Sequence, residues 1–315
     1  MNDVFLDQTK DQAKGCLLGL AIGDALGATN EFKTKEAIAQ PVRDLIGGGW
    51  LGLKAGEITD DTEMMLCILE AYSSGYSLER VGANFLGWLN SKPKDIGNLT
   101  RHALTELKRG VSPREAGRLA WETMHQSGAG NGAVMRCAPT GVLRATDREV
   151  RVIETIEIAR VTHFDHRAVE SALWLNAMIA AFMTGLETQN ALEFAKQELL
   201  YARIQQHWTI QKPPEQDVLY WTEEASRKAA DELDTSGFAL ATVQVAAWVL
   251  HNSDTFEDGV VLAVNQGGDA DTIGAVTGAL LGAKYGHSSI PKRWLDGLLI
   301  GTQLEQTLQR ALKLS

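Results

Sequence analysis

The stretch Ala13-Lys14-Gly15-Cys16-Leu17-Leu18-Gly19-Leu20-Ala21-Ile22-Gly23-Asp24-Ala25-Leu26-Gly27-Ala28 decides how this chain folds. Its apolar residues recur at helical spacing, and Gly15, Gly19, Gly23 and Gly27 occupy every fourth position. Residues four apart lie on one face of a helix, so the glycines form a row. A glycine inside a helix costs about 1 kcal/mol relative to alanine. A row of them therefore needs a compensating contact, and the sequence predicts that another helix approaches this face closely. Helical periodicity continues to the end of the chain, over 61–74, 77–89, 99–109, 113–125, 149–161, 166–184 and 191–205. It resumes over 222–232, 238–250, 255–264, 272–285 and 292–311. Ser77 before Leu78-Glu79-Arg80 and the Ser112-Pro113 pair read as helix starts, and Gly185 and Gly286 as helix ends. Strand-like alternation is scarce. The segment 41–53, with Gly47-Gly48-Gly49, and the segment 204–219, with Pro213-Pro214, read as excursions. The expected fold is all-α: one compact many-helix domain over 13–315, preceded by a polar extension over 1–12.

The bulk composition narrows the function classes. The chain has 315 residues, 44% of them hydrophobic, enough for a large core. Its formal net charge is −10 and it has no Lys/Arg-rich run, which argues against nucleic-acid binding. Cys16, Cys67 and Cys137 are an odd number without a Cys-x-x-Cys pair, as expected of buried free thiols. The N-terminus lacks the basic start and apolar run of a secretion signal. The apolar stretches, such as 169–183, are too short or too interrupted for a membrane span. A cytoplasmic location is the expectation.

Two acidic clusters stand far apart in the sequence. One is Thr59-Asp60-Asp61-Thr62; the other is Gly267-Gly268-Asp269-Ala270-Asp271-Thr272. Each precedes an apolar helical stretch. One helix cap needs one side chain, yet each start carries two acids and a threonine. Carboxylates this close repel one another unless a cation lies between them, and hard dications such as Mg²⁺ or Mn²⁺ favour such oxygen ligands. The two clusters are expected to form halves of one metal site. Glu31, just past the end of the first helix, is within reach of joining them. Enough oxygens gather for two ions sharing a carboxylate.

These motifs, with others between them, resemble the ADP-ribosylglycohydrolases, above all the bacterial dinitrogenase reductase-activating glycohydrolase branch. The matching residues run in order: Gly23-Asp24-Ala25-Leu26-Gly27 with Glu31, Thr59-Asp60-Asp61-Thr62, and Asp95-Ile96-Gly97-Asn98. Then come Gly130-Asn131-Gly132-Ala133-Val134-Met135-Arg136, Thr162-His163 and Gly267-Gly268-Asp269-Ala270-Asp271-Thr272-Ile273-Gly274. The resemblance implies an all-α fold with a central cleft holding two Mg²⁺ or Mn²⁺ ions. It also implies hydrolysis of the N-glycosidic bond between ADP-ribose and an arginine side chain of a modified protein. By position, Thr59, Asp60, Asp61 and Asp271 would hold one ion. Asp269, Asp271, Thr272 and, as a further candidate, Glu31 would serve the other. Catalytic roles fall to Asp95, Asp60 and Glu31, with Asp95 contacting the guanidinium. The glycine-rich Ser127, Gly128, Gly130, Asn131 and Gly132, together with His163, would bind the diphosphate.

Rival readings keep the fold but change the bond to O-linked or other ADP-ribosyl substrates. Another makes the protein an immunity factor that occludes an ADP-ribosylating toxin or transferase. Of the eight tryptophans, Trp88, Trp174 and Trp248 read as core, and Trp208 as a candidate for stacking on adenine.

Overall fold

The computed structural model describes residues 3–126 and 128–313. Among them the chain forms fifteen α-helices. These are α1 (Asp3–Gly27), α2 (Asp60–Ser73), α3 (Leu78–Asn90), α4 (Asn98–Lys108) and α5 (Pro113–Thr123). Next come α6 (Ala138–Leu143), α7 (Arg148–Arg160), α8 (His166–Met183), α9 (Thr188–Gln205) and α10 (Val218–Glu224). The last are α11 (Ala239–Asn252), α12 (Phe256–Val264), α13 (Ala270–Tyr285), α14 (Lys292–Gly297) and α15 (Gly301–Ala311). Outside the helices, backbone bridges join only Gly48 to Leu53 and Gly130 to Phe238 among these residues.

The partner that the glycine row demands is α13, lying antiparallel to α1. A Cβ placed on Gly15, Gly19, Gly23 or Gly27 would fall 2.5, 2.3, 1.9 or 2.1 Å from the carbonyl oxygens of Gly282, Gly278, Gly274 and Ala270. Backbone thus meets backbone along the whole contact, and dispersion between closely packed atoms offsets the poor helix propensity. From Gly15 onward α1 is buried, as is α13 up to Ala283, with α8 and α11 packed on α13. Trp88, Trp174 and Trp248 lie in the core as expected. All three cysteines are free, Cys16 and Cys137 buried.

Several boundaries differ from the sequence reading. Helix α1 begins at Asp3 and so runs through part of the stretch read as an extension. There Gln12 Nε2 donates to the Phe182 carbonyl at 2.9 Å. The periodic stretch 292–311 is two helices, because the Leu299 N–H leaves the helical pattern to donate to the Gly56 carbonyl at 3.1 Å. The stretch 222–232 lies partly in α10 and then in short 3₁₀ turns. Met135 sits in a 3₁₀ turn, Val134–Arg136, ahead of α6. No described helix is long and apolar enough to cross a membrane.

Candidate functional site: an acidic cleft

The antiparallel register of α1 and α13 brings the C-terminal end of α1 against the start of α13, and α2 begins beside both. Asp24, inside the apolar α1, anchors this junction. Its carboxylate accepts from the Thr59 N–H (3.1 Å), the Thr59 hydroxyl (2.9 Å), the Thr62 N–H (3.2 Å) and the Thr62 hydroxyl. The two N–H groups belong to the first turn of α2, which lacks intrahelical partners for them. Thr59 is the N-cap residue of α2, but its side chain makes no capping bond, and neither does Asp269 at the start of α13. Helix capping therefore does not account for the acidic clusters. Their side chains turn inward instead.

The two clusters meet. Thr272 Oγ1 lies 3.4 Å from Asp61 Oδ2, across 211 residues of sequence. Glu31, Asp269 and Asp271 each offer a carboxylate oxygen, all within 4.8 Å of one another. Local backbone makes the approach possible. Gly268 (φ +69°) is left-handed, and a Cβ there would meet the Thr235 carbonyl at 2.1 Å. Its N–H and C=O pair with Lys33 and Phe32, both at 2.7 Å, which pins the Glu31 segment to the start of α13. Asn131 Nδ2 donates to Asp269 and to Thr242 Oγ1 (2.9 Å), and the Trp50 indole N–H donates to Glu31 Oε2 at 2.5 Å.

The electrostatics are those of crowded, buried acids that could accept a cation. Burial pushes the carboxyls of Asp60, Asp61 and Asp271 well above the usual range, and their neighbouring acids push them further. Burial likewise raises Asp24 to about 6 and Glu31 to about 8. Among the described residues no Lys or Arg forms an ion pair with any of these groups. Asp61 Oδ1 is buried with no hydrogen-bond partner at all. A buried, unpaired carboxylate oxygen beside four further acids is costly as it stands, and a bound dication would satisfy it. The donor set fits hard, oxygen-seeking ions.

Over this floor opens a cleft of about 280 Å³. Glu31, Asp60, Asp61, Asp269, Asp271 and Thr272 line its base, and Asp95, Gly130, Asn131, Gly132 and His163 line its walls. Thr59 lies just beneath the floor, 4% exposed. Gly128 is not among the residues lining the cleft; a Cβ there would fall 3.0 Å from Leu99 Cδ2 and 3.5 Å from Trp121 Cδ1. Ser127 lies outside the described residues. Trp208 is not at the cleft either, but lies over the Arg160 guanidinium at 5.3 Å and beside a separate depression. The sequence reading gave no role to Asp24, Phe32 or Gly237, which also shape the site. Of these, Asp24 carried a signal: an acid in an otherwise apolar helical face. Gly237 carried none, because it reaches the cleft only through the backbone pairing of Asn131 N with Gly237 O (3.0 Å) and Ala239 N with Ala129 O (2.9 Å).

A larger groove, about 480 Å³, lies elsewhere between Pro214, Tyr220, Trp221 and Gln244; its acids Glu215, Glu224 and Glu232 share the lining with Arg227 and Lys228, and Arg227 pairs with Glu224.

The family model for ADP-ribosylglycohydrolase matches residues 6–315. The chain belongs to the ADP-ribosylglycohydrolase family. It is an enzyme, a glycosylase of this family, with an acidic group able to hold metal. Its sequence is 35% identical over 305 residues to the ADP-ribosylarginine hydrolase Tri1 of Serratia proteamaculans, covering 93% of this chain and 76% of that one. It is 35% identical over 296 residues to the ADP-ribosyl-[dinitrogen reductase] glycohydrolase of Rhodospirillum rubrum, covering 91% and 90%. Among solved structures, an ADP-ribosylglycohydrolase-related protein complex superimposes with a TM-score of 0.76 at 30% identity, over 98% of this chain and 99% of that one.

Proposed function

We propose that this ADP-ribosylglycohydrolase removes ADP-ribose from arginine side chains of modified proteins, using two divalent cations, Mg²⁺ or Mn²⁺. The observation that carries the reading is the meeting of Asp60 and Asp61 with Asp269 and Asp271 at the base of a cleft whose rim presents Asp95. Thr59, Asp60, Asp61 and Asp271 would hold one ion, and Asp269, Asp271, Thr272 and Glu31 the other. The Thr59 hydroxyl spends its proton on Asp24 and keeps lone pairs free for a cation. When bound, the ions supply a fixed anchor for the ribose hydroxyls and lower the pKa of water.

The chain's own groups do the rest. Glycoside cleavage builds oxocarbenium-like charge on the ribose, which the surrounding carboxylates stabilise. Glu31, at the edge of the floor, is placed to take a proton from the attacking water, since neighbouring cations would hold it as a carboxylate. Asp95 is half-buried on the rim, its Oδ1 accepting from the Ile96 N–H at 2.7 Å. That bond holds the carboxylate toward the cleft, where it suits a planar guanidinium through paired hydrogen bonds. The bond between the anomeric carbon and the guanidine nitrogen breaks, the water oxygen bonds to that carbon, and one water proton is returned to the departing guanidine. Gly130 and Gly132 leave backbone uncovered along one wall, where an anionic diphosphate has room to lie.

The test is release of ADP-ribose from an arginine-modified protein, with and without chelator and with each ion restored. A serine-linked substrate serves as the comparison. Full activity under thorough chelation, or preference for the serine linkage, would overturn the reading.

A further inference from the structure

We propose that His163 serves the cleft as a neutral hydrogen-bond donor, its proton held on Nε2 by a buried relay that runs from Arg136 through Thr162. Resting on the reading of the Gly130–Gly132 wall as the side that takes the substrate's phosphates, this assigns His163 and two residues behind it a specific part in binding.

The relay has one direction because its first member can only donate. Arg136 is fully buried, and a guanidinium carries N–H groups and no acceptor. Its Nη2 donates to Thr162 Oγ1 at 2.6 Å, its Nη1 faces Met64 Sδ at 3.6 Å, and its face covers the Phe85 ring at 4.8 Å. Thr162 is itself fully buried. Its hydroxyl has a second partner, His163 Nδ1, at 2.8 Å. A hydroxyl has one proton. With Arg136 donating to the oxygen, that proton finds its acceptor at Nδ1. Were Nδ1 protonated instead, the threonine hydrogen would be left buried with no acceptor among the described residues, an arrangement that folded proteins avoid. Nδ1 therefore accepts, and the ring's own proton resides on Nε2.

The ring is also kept uncharged. Burial, and then the Arg136 charge, lower its pKa to about 3. Its Nε2 edge lies along the glycine wall: a Cβ on Gly132 would fall 2.7 Å from His163 Cε1 and 3.0 Å from Nε2, and one on Gly130 would fall 3.6 Å from Nε2. Side chains at these two positions would cover the edge, and glycine leaves it open. Among the described residues no protein group takes the Nε2 proton. The ligand chemistry that fits is an anionic oxygen of a phosphate, met by a fixed neutral donor. A ring locked in one tautomer cannot act as a proton shuttle at neutral pH, so His163 positions substrate while proton transfer falls to the carboxylates.

Long-range ¹H–¹⁵N correlation on ¹⁵N-histidine-labelled protein, with free ADP-ribose as the probe, tests this. Expected are a pyridine-type Nδ1 and a pyrrole-type Nε2 for His163, unchanged from about pH 6 to 8, with the Nε2 signal moving when ADP-ribose is added. Thr162→Val should mix the tautomers and raise KM about tenfold, as loss of one oriented donor to an anion predicts, while kcat changes little. Thr162→Ser should restore both. A pyrrole-type Nδ1, an imidazolium at neutral pH, or an Nε2 signal indifferent to ADP-ribose would overturn the proposal. The spectrum of the ligand-free wild type needs no variant to fold. It decides the tautomer even if no ADP-ribosyl bond is cleaved, so failure of the function and failure of the relay are separable.

Discussion

Gly23→Ala sets two known effects against each other, and the structure says which wins. In an ordinary helix the change stabilises by about 1 kcal/mol, because alanine has the better propensity. Here the new Cβ would sit 1.9 Å from the Gly274 carbonyl oxygen, whereas ordinary contact begins near 3.4 Å. To make room, α1 and α13 must separate by about 1.5 Å, and a gap of even ~1 Å forfeits up to half of each contact's dispersion energy. Overpacking of this kind costs about 3 kcal/mol, so the net expectation is a loss of about 2 kcal/mol. In a chain of this size that corresponds to a fall in Tm of roughly 3 °C. Gly87→Ala in α3 is the control: nothing lies within 4 Å of its added Cβ, so it should gain up to about 1 kcal/mol. Urea titrations of both variants in chelator give the free energies, and Mn²⁺ binding followed by electron paramagnetic resonance reads the site. The same separation moves the start of α13 away from Asp61, so Gly23→Ala should also weaken Mn²⁺ binding about tenfold or more. A Gly23→Ala protein as stable as wild type, or one stabilised like Gly87→Ala, would refute the close-contact reasoning.

Further outcomes follow from the site. Asp24→Asn keeps the shape but puts an NH₂ group against Thr59 and Thr62 donors, and should cost about 3 kcal/mol in a denaturation midpoint, as breaking a buried charged network does. In chelator, stability should fall as pH rises. Folded Asp24 and Glu31 hold their protons to about 6 and about 8, the unfolded groups only to about 4, so stability is full below pH ~4 and drains through those folded values; saturating Mg²⁺ should flatten the melting-temperature profile, and a flat profile in chelator would contradict the repulsion. Trp50→Phe retains an aromatic ring but deletes the N–H donated to Glu31, and should lower kcat about tenfold with little change in KM; an unchanged kcat would remove Glu31 from proton transfer. Asp95→Asn should reduce kcat/KM on arginine-linked substrate by at least about tenfold while free ADP-ribose binds as before by calorimetry.

What the sequence made legible depended on whether a feature was local. The glycine row in α1 announced a close helix contact, because fourfold spacing has one geometric meaning; it did not name α13 as the partner. The crowding of acids in the two clusters led to the expectation that they meet, and Thr272 of one does lie 3.4 Å from Asp61 of the other. The division of 292–311 into α14 and α15 could not be read, since it turns on the Leu299 N–H reaching Gly56, far away in the chain. Asp24 was visible as an odd acid in an apolar face, yet its role lies in four donors contributed by Thr59 and Thr62. Trp208 suggested a stacking surface from residue type alone, and the fold gave it Arg160 instead. Tertiary pairings such as these leave no periodic trace.

The pairing of α1 with α13 has a bearing on biosynthesis. The first of these helices leaves the ribosome early and its mate emerges only when most of the polypeptide has been made, so the seam between them closes late. Until then the early aspartates are solvated and apart from those of the second group, so the acidic floor of the cleft does not yet exist. On the site reading proposed above, catalytic competence arrives in one late step, and a product terminated before Asp269 would be inert rather than partly active.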